Sequence, residues 1–265
     1  MAPTALPLIE MPQPQFIMSP EGYRIATYSW GDDAAPTVLC VHGFASNCRD
    51  NWGDTGWIGA LTRAGFRVLG VDQRGHGASD KPHDPHDYSM KALVGDLTAV
   101  LDTYLLDTVQ YVGYSLGGRV GWQLLVEAPD RVTRGVLGGI PDGRPLTRLR
   151  LDQARAYIDH GTPLEDPVTQ SYVRLAERLP GNDVRTLIDL AEGMRDGDAD
   201  PDPANPPQQP VLFATGTEDA IIERSRFLAE SAPHGEFLEI PGRHHFNAPG
   251  SREFREAAIA FLGRD

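Results

Sequence analysis

Seven short runs rich in Val, Ile, Leu and aromatic residues recur along the 265-residue chain, each closed by turn residues: YRIATYSW, TVLCVHG, FRVLGVD, VQYVGYS, GVLGGI, PVLFATG and EFLEI. Runs of this length and composition read as strands. Helix-length segments separate several of them. In YSMKALVGDLTAVLDTYLL, residues Met90, Leu93, Val94, Leu97, Val100, Leu101 and Leu105 recur at the spacing of one helical face. Strands joined through helices pair mainly in parallel, and a parallel sheet buries both of its faces. The pattern predicts an α/β fold in which a mainly parallel central sheet is flanked by helices.

Between Pro141 and Gln209 the strand signal stops. The pieces LTRLRLDQARAYIDH, DPVTQSYVRLAERL and NDVRTLIDLAEGMRD are charged and weakly amphipathic, and the exit DADPDPANPPQQP is too dense in proline for a helix or a central strand. The expected organisation is a core built from residues 1–140 and 210–265, interrupted by a small helical cap over residues 141–209 with a proline-rich exit. The length suits one large domain with such an insertion.

Charge narrows the partners. With 24 basic against 37 acidic residues the formal charge is −13, which repels phosphate and anionic lipid, so neither nucleic acid nor membrane is expected. Cys40 and Cys48 are too few for a disulfide framework and read as reduced thiols. The opening MAPTALPLIEMPQPQFIM breaks its apolar residues with prolines and carries no basic leader, so it reads as neither signal peptide nor membrane span, and the expected location is the cytoplasm.

The stretch VGYSLGGRV, Val112 to Val120, places one serine between two glycines, after a strand-like run and before the helix-compatible GRVGWQLLVEA. A serine hydroxyl is a poor nucleophile unless it is exposed, rigidly held and set beside a base and hydrogen-bond donors. In a G-x-S-x-G turn between strand and helix, Gly113 and Gly117 leave room for a strained backbone and Ser115 sits at the apex. The amides opening the next helix, led by Leu116, then point to where negative charge would develop.

At this point the chain resembles the α/β-hydrolase superfamily, in its serine-nucleophile, esterase-like branch with a helical lid. The resemblance runs through VLCVHGFASN, VLGVDQRGHGASDKP, GYSLGG, FATGTEDAII and IPGRHHF, in the family's order. It implies the α/β-hydrolase fold and a catalytic triad in the chain order serine, acid, histidine. Asp219, shortly after PVLFATG, is the matching acid, and Asp142, after the preceding strand, is the alternative. Matching PGRHHF to the family's P-G-x-G-H-F selects His245 as base. His244 then stands where a glycine is usual and is the alternative base. HGF matches the first oxyanion element, which gives Phe44 N–H and Leu116 N–H as the expected hole, with His42 supporting the loop. The pattern from Asp72 to Ser79 is expected to fix a turn. His76, His83 and His86 follow no metal-ligand spacing, so no metal is expected, nor any cofactor.

The expected reaction is cleavage of a small-molecule acyl substrate: a carboxylic ester, or a related lactone or thioester, through an acyl-enzyme on Ser115. Perhydrolysis and C–C bond hydrolysis use the same constellation, and a small-molecule receptor that keeps the triad without turnover is the reading from another class. Haloalkane dehalogenases and epoxide hydrolases of the superfamily carry aspartate at the nucleophile position, so Ser115 points away from them. Selectivity is expected from the cap, with Leu146, Leu149, Tyr157, Ile158 and Met194 as candidates to line the acyl pocket.

Overall fold

The computed structural model describes residues 9–140, 145–195 and 200–264. Eight strands form one open sheet: β1 (Gln15–Met18), β2 (Arg24–Trp30), β3 (Thr37–Val41), β4 (Arg67–Val71), β5 (Val109–Tyr114), β6 (Val132–Gly138), β7 (Val211–Gly216) and β8 (Gly235–Ile240), in the order β1-β2-β4-β3-β5-β6-β7-β8. From β4 to β8 every neighbouring pair is parallel; β1 and β2 pair antiparallel at one edge. The seven apolar runs each coincide with a strand. The additional strand, β1, follows Pro12 and Pro14 and has only Ile17 buried, so neither composition nor alternation marks it.

Among the described residues, eight α-helices accompany the sheet: α1 (Trp57–Arg63), α2 (Met90–Thr103), α3 (Leu116–Glu127), α4 (Leu151–His160), α5 (Pro167–Glu177), α6 (Val184–Gly193), α7 (Ile222–Ser231) and α8 (Arg252–Leu262). Strand alternation sorts the core into two layers. Leu39, Val41, Leu69, Val71 and Tyr111 face a cluster that includes α2, α3 and α7, whereas Val38, Cys40, Val68, Val112 and Leu212 face one that includes α1 and α8. Residues of β3 and β4 are buried on both faces, which is why these strands read as unbroken apolar runs.

One helical expectation needs correction. The Ser89 side chain caps α2, but the helix ends at Thr103 and Leu105 is 89% exposed with φ 54°. The amides of Leu105 and Leu106 bond back to the carbonyls of Asp102 and Leu101, a Schellman ending whose left-handed residue leaves the buried face.

Between β6 and β7 the chain leaves the sheet and forms α4, α5 and α6. These helices pack on one another and join the same apolar cluster as α2 and α3 through Ala154, Val173 and Ile188, with Leu146 and Leu149 just before α4 and Met194 just after α6. Among the described residues, no helix is long and apolar enough to cross a membrane.

Candidate active site

Ser115 occupies the turn between β5 and α3 with φ 53° and ψ −112°, a conformation unfavourable for any residue with a side chain. Neighbouring glycines make the turn possible. A Cβ on Gly113 would lie 2.3 Å from the Gly117 carbonyl oxygen, and a Cβ on Gly117 would lie 2.1 Å from that of Val41. The two glycines of the motif are thus demanded by close backbone approach, and the serine is lifted to the strand's carboxyl end.

Two loops from the same end of the sheet meet it. After β7, a turn closed by the Asp219 amide on the Gly216 carbonyl buries the Asp219 carboxylate. After β8, the loop carrying His245 packs so closely on β7 that a Cβ on Gly216 would sit 2.0 Å from the Arg243 carbonyl oxygen. His245 Nε2 is 2.9 Å from Ser115 Oγ and its Nδ1 is 2.7 Å from Asp219 Oδ2. The other carboxylate oxygen, Oδ1, accepts the Ile221 amide at 3.3 Å. A proton on Nδ1 therefore faces the carboxylate and leaves the Nε2 lone pair toward the serine, as a base would require.

The structure brings Ser115, Asp219 and His245 together. His244 is exposed, and its Nδ1 accepts the Phe246 amide at 3.2 Å, so its ring is engaged in its own turn. Glu218 is exposed. Asp142 lies outside the described residues.

The loop after β3 passes beside the serine: a Cβ on Gly43 would be 3.3 Å from Ser115 Cβ. Neither the Phe44 nor the Leu116 amide has an acceptor among the described residues, and Leu116 is the first residue of α3. The loop is held by buried polar groups. His42 Nδ1 donates to the Gly43 carbonyl at 2.8 Å, and His42 Nε2 accepts the Gln73 amide at 3.0 Å. The Gly43 amide donates to Asn51 Oδ1 at 3.1 Å, and the Ala45 amide to His76 Nε2 at 3.0 Å. Because N–H and C=O lie on opposite sides of a trans peptide, fixing the Gly43 carbonyl aims the Phe44 N–H the other way.

Burial pushes the pKa of His42 down to about 4 and that of His76 down to about 3, so both rings remain neutral and keep an acceptor nitrogen near pH 7. His76 and Asn51 are the site-supporting residues that sequence reasoning missed. The first sits in a polar turn and the second in an unremarkable loop, and no spacing rule links either to residues 42–45. Asp72 fixes the turn from Asp72 to Ser79 by accepting the Cys48 and Ala78 amides and the Tyr28 hydroxyl. His83 pairs with Asp183, and His86 with Asp84.

Leu146, Leu149 and Met194 are buried in the shared apolar cluster, with Tyr157 and Ile158 half-buried against it. Of the five candidate pocket residues, only Tyr157 lines a cavity of about 260 Å³ between α4 and α5, which also borders Leu164 and Val173. A second cavity, about 380 Å³, lies between residues 11–14, the turn at Asp72 and residues 180–182, and does not border Ser115.

Residues 36–163 match the family described as alpha/beta hydrolase fold. Epoxide hydrolase B of Mycobacterium tuberculosis is 38% identical over 133 residues, covering 48% of this chain and 35% of that protein, so the match spans about a third of the relative's length. An uncharacterized protein of the same organism is 30% identical over 262 residues, covering 85% of this chain and 74% of the relative. The crystal structure of the enol-lactonase from Burkholderia xenovorans superposes with a TM-score of 0.76 at 24% identity, over 94% of this chain and 100% of that one, a likeness of fold. Sheet order, nucleophile-type turn and sequence match converge on one conclusion: this chain belongs to the alpha/beta hydrolase fold family.

Proposed function

We propose that the protein is a serine hydrolase that cleaves a small carboxylic ester, or a related lactone or thioester, through an acyl-enzyme on Ser115. The observation that carries this reading is the bridge made by His245, with Nε2 2.9 Å from Ser115 Oγ and Nδ1 2.7 Å from Asp219 Oδ2. His245 takes the Ser115 proton as Oγ attacks the substrate carbonyl carbon. The carbonyl oxygen becomes an oxyanion facing the Phe44 and Leu116 amides. Collapse expels the alcohol, which leaves with the proton held on His245. Water then attacks the acyl carbon, gives a proton to the same imidazole, and releases the acid as Ser115 recovers its proton. Asp219 holds the ring tautomer and stabilises the imidazolium.

The relative named epoxide hydrolase B supports hydrolytic chemistry, but a serine is the wrong group for an epoxide. Opening an epoxide with a hydroxyl would leave an alkyl ether on the enzyme, which offers water no carbonyl to attack. A substrate that already contains the carbonyl avoids that dead end. The helices α4 to α6 act in this reading as a lid that shapes the acyl site; support comes from Tyr172 of α5, whose ring meets that of Phe44 edge-on at 6.0 Å between centroids.

The test is labelling by a fluorophosphonate probe, with the modified residue located by mass spectrometry, beside turnover of p-nitrophenyl esters of rising chain length by wild type and Ser115→Ala. The reading requires label on Ser115 and loss of turnover in the alanine variant. Folded wild type that is neither labelled nor active would overturn it. Stoichiometric acylation without sustained turnover would favour a receptor instead.

A further inference from the structure

We propose that Asn182, on the connection between α5 and α6, is a positioning residue for the oxyanion hole, so that the helical segment completes the hole rather than only covering it. The inference rests on the serine-hydrolase reading of Ser115. Ala45, the residue after Phe44, adopts φ 58°, a left-handed conformation that a non-glycine residue holds only when its surroundings enforce it. Its amide is held by His76 Nε2 at 3.0 Å. Its carbonyl is held by Asn182 Nδ2 at 3.0 Å, and the same Nδ2 donates to the Ala176 carbonyl at 3.0 Å, near the end of α5.

Other contacts from the same segment converge on this stretch of loop. Ala45, Ala176 and Leu187 form a small buried cluster against which Phe44 and Val184 pack. Arg178 forks onto both carboxylate oxygens of Asp50, at 2.9 and 2.6 Å, and Asp50 Oδ2 accepts the Ser46 hydroxyl at 2.6 Å. Upstream of Phe44 the restraints come from His42 and Asn51 of the core. Downstream, the Ala45 carbonyl is held by a side chain of the helical segment.

Without the Asn182 amide that carbonyl loses its donor, the left-handed conformation loses one of its two clamps, and the Ala45–Ser46 peptide can rotate, which lets the Ala45 backbone relax and shifts the adjoining Phe44 Cα with it. The Phe44 N–H then moves off the line on which it would meet an oxyanion, and hydrogen bonds weaken steeply with misalignment. Ground-state binding of the substrate depends little on that line. Seating of the helices and competence of the hole thus become one event, which ties bond cleavage to a closed segment.

The test uses full-length Asn182→Ala and Asn182→Asp, with p-nitrophenyl acetate as substrate, phenylboronic acid as a tetrahedral-adduct probe and fluorophosphonate labelling of wild type as the reference. Misaiming one donor is expected to cost less than deleting it, so kcat should fall about 10- to 100-fold with KM changed less than about threefold. Phenylboronic acid affinity should fall by the same factor as kcat/KM. Arg185→Gln, which breaks the Arg185–Asp159 pair within the segment, should leave both at wild-type values. If Asn182→Ala does not fold, Asn182→Asp retains the size while removing both donors. A lowered melting temperature with unchanged kcat and boronate affinity would overturn the proposal, because a purely structural contact behaves that way. Wild type without label or turnover would overturn the serine-hydrolase reading, and this proposal with it.

Discussion

The Tyr114 hydroxyl donates a 2.5 Å hydrogen bond to the backbone carbonyl of His245, tying the loop that carries the candidate base to the residue immediately before the candidate nucleophile. Their rings also tilt against each other, with centroids 5.5 Å apart. Burial raises the Tyr114 pKa well above the usual phenol range, so it stays a proton donor. The bond sets the height of His245 relative to Ser115 from the strand side.

Tyr114→Phe removes that donor and little else. A hydrogen bond of this kind contributes about 0.5–1.5 kcal/mol, so kcat for ester hydrolysis should fall roughly 2- to 10-fold while KM holds. Steady-state kinetics on p-nitrophenyl acetate provide the check; a phenylalanine variant with full kcat would show that the base loop is held elsewhere.

The two adjacent histidines should separate cleanly. His245→Ala is expected to abolish turnover, whereas His244→Ala keeps most of it, because the His244 ring engages the Phe246 amide and not Ser115. Asp219→Asn should lower kcat by about 10⁴, the scale seen when a triad base loses its orienting carboxylate. Activity that survives in His245→Ala and disappears in His244→Ala would reverse the assignment.

Gly117→Ala would force a methyl group to within 2.1 Å of the Val41 carbonyl oxygen and 2.7 Å of that of His42. Backbone cannot yield as a flexible side chain would. Overpacking of this kind costs about 1–3 kcal/mol or more, and 3 kcal/mol corresponds to roughly 6–12 °C in melting temperature for a chain of this size. Thermal melts measure it directly, and a shift under about 2 °C would mean that the turn relaxes freely.

Two buried neutral rings should make stability fall with acid. Burial lowers the folded-state pKa of His42 to about 4 and of His76 to about 3, below the ordinary 6.5. The unfolded chain therefore takes up protons first, so stability is whole above about pH 7 and is lost as pH falls from 6.5 toward 4, by up to about 1.4 kcal/mol per pH unit for each ring. Urea denaturation at a series of pH values gives the slope. His76→Gln, whose amide oxygen can still accept the Ala45 N–H without titrating, should flatten it; an unchanged slope would remove His76 from the account.

Much of the fold was legible because strands and helices announce themselves locally. All seven apolar runs became strands, and the G-x-S-x-G turn fell between one of them and a helix. Misreadings arose where a distant partner or a backbone ending decided the outcome. β1 exists because Gln15–Met18 finds Arg24–Thr27 beside it, and Leu105 leaves its helical face because a Schellman turn ends α2 two residues earlier.

The residues alone determined the order of strands and helices, the turn that can present a serine, and a short list of acids and bases, because hydrophobic period, glycine placement and motif order are properties of neighbouring positions. Tertiary structure alone decided how the imidazole singled out by the motif match reaches Ser115, 130 positions away, and which buried groups hold the loop at Gly43 and Ala45. Those choices depend on approach distances of a few tenths of an ångström between segments that share no local pattern, and such distances exist only once the sheet has set its loops side by side.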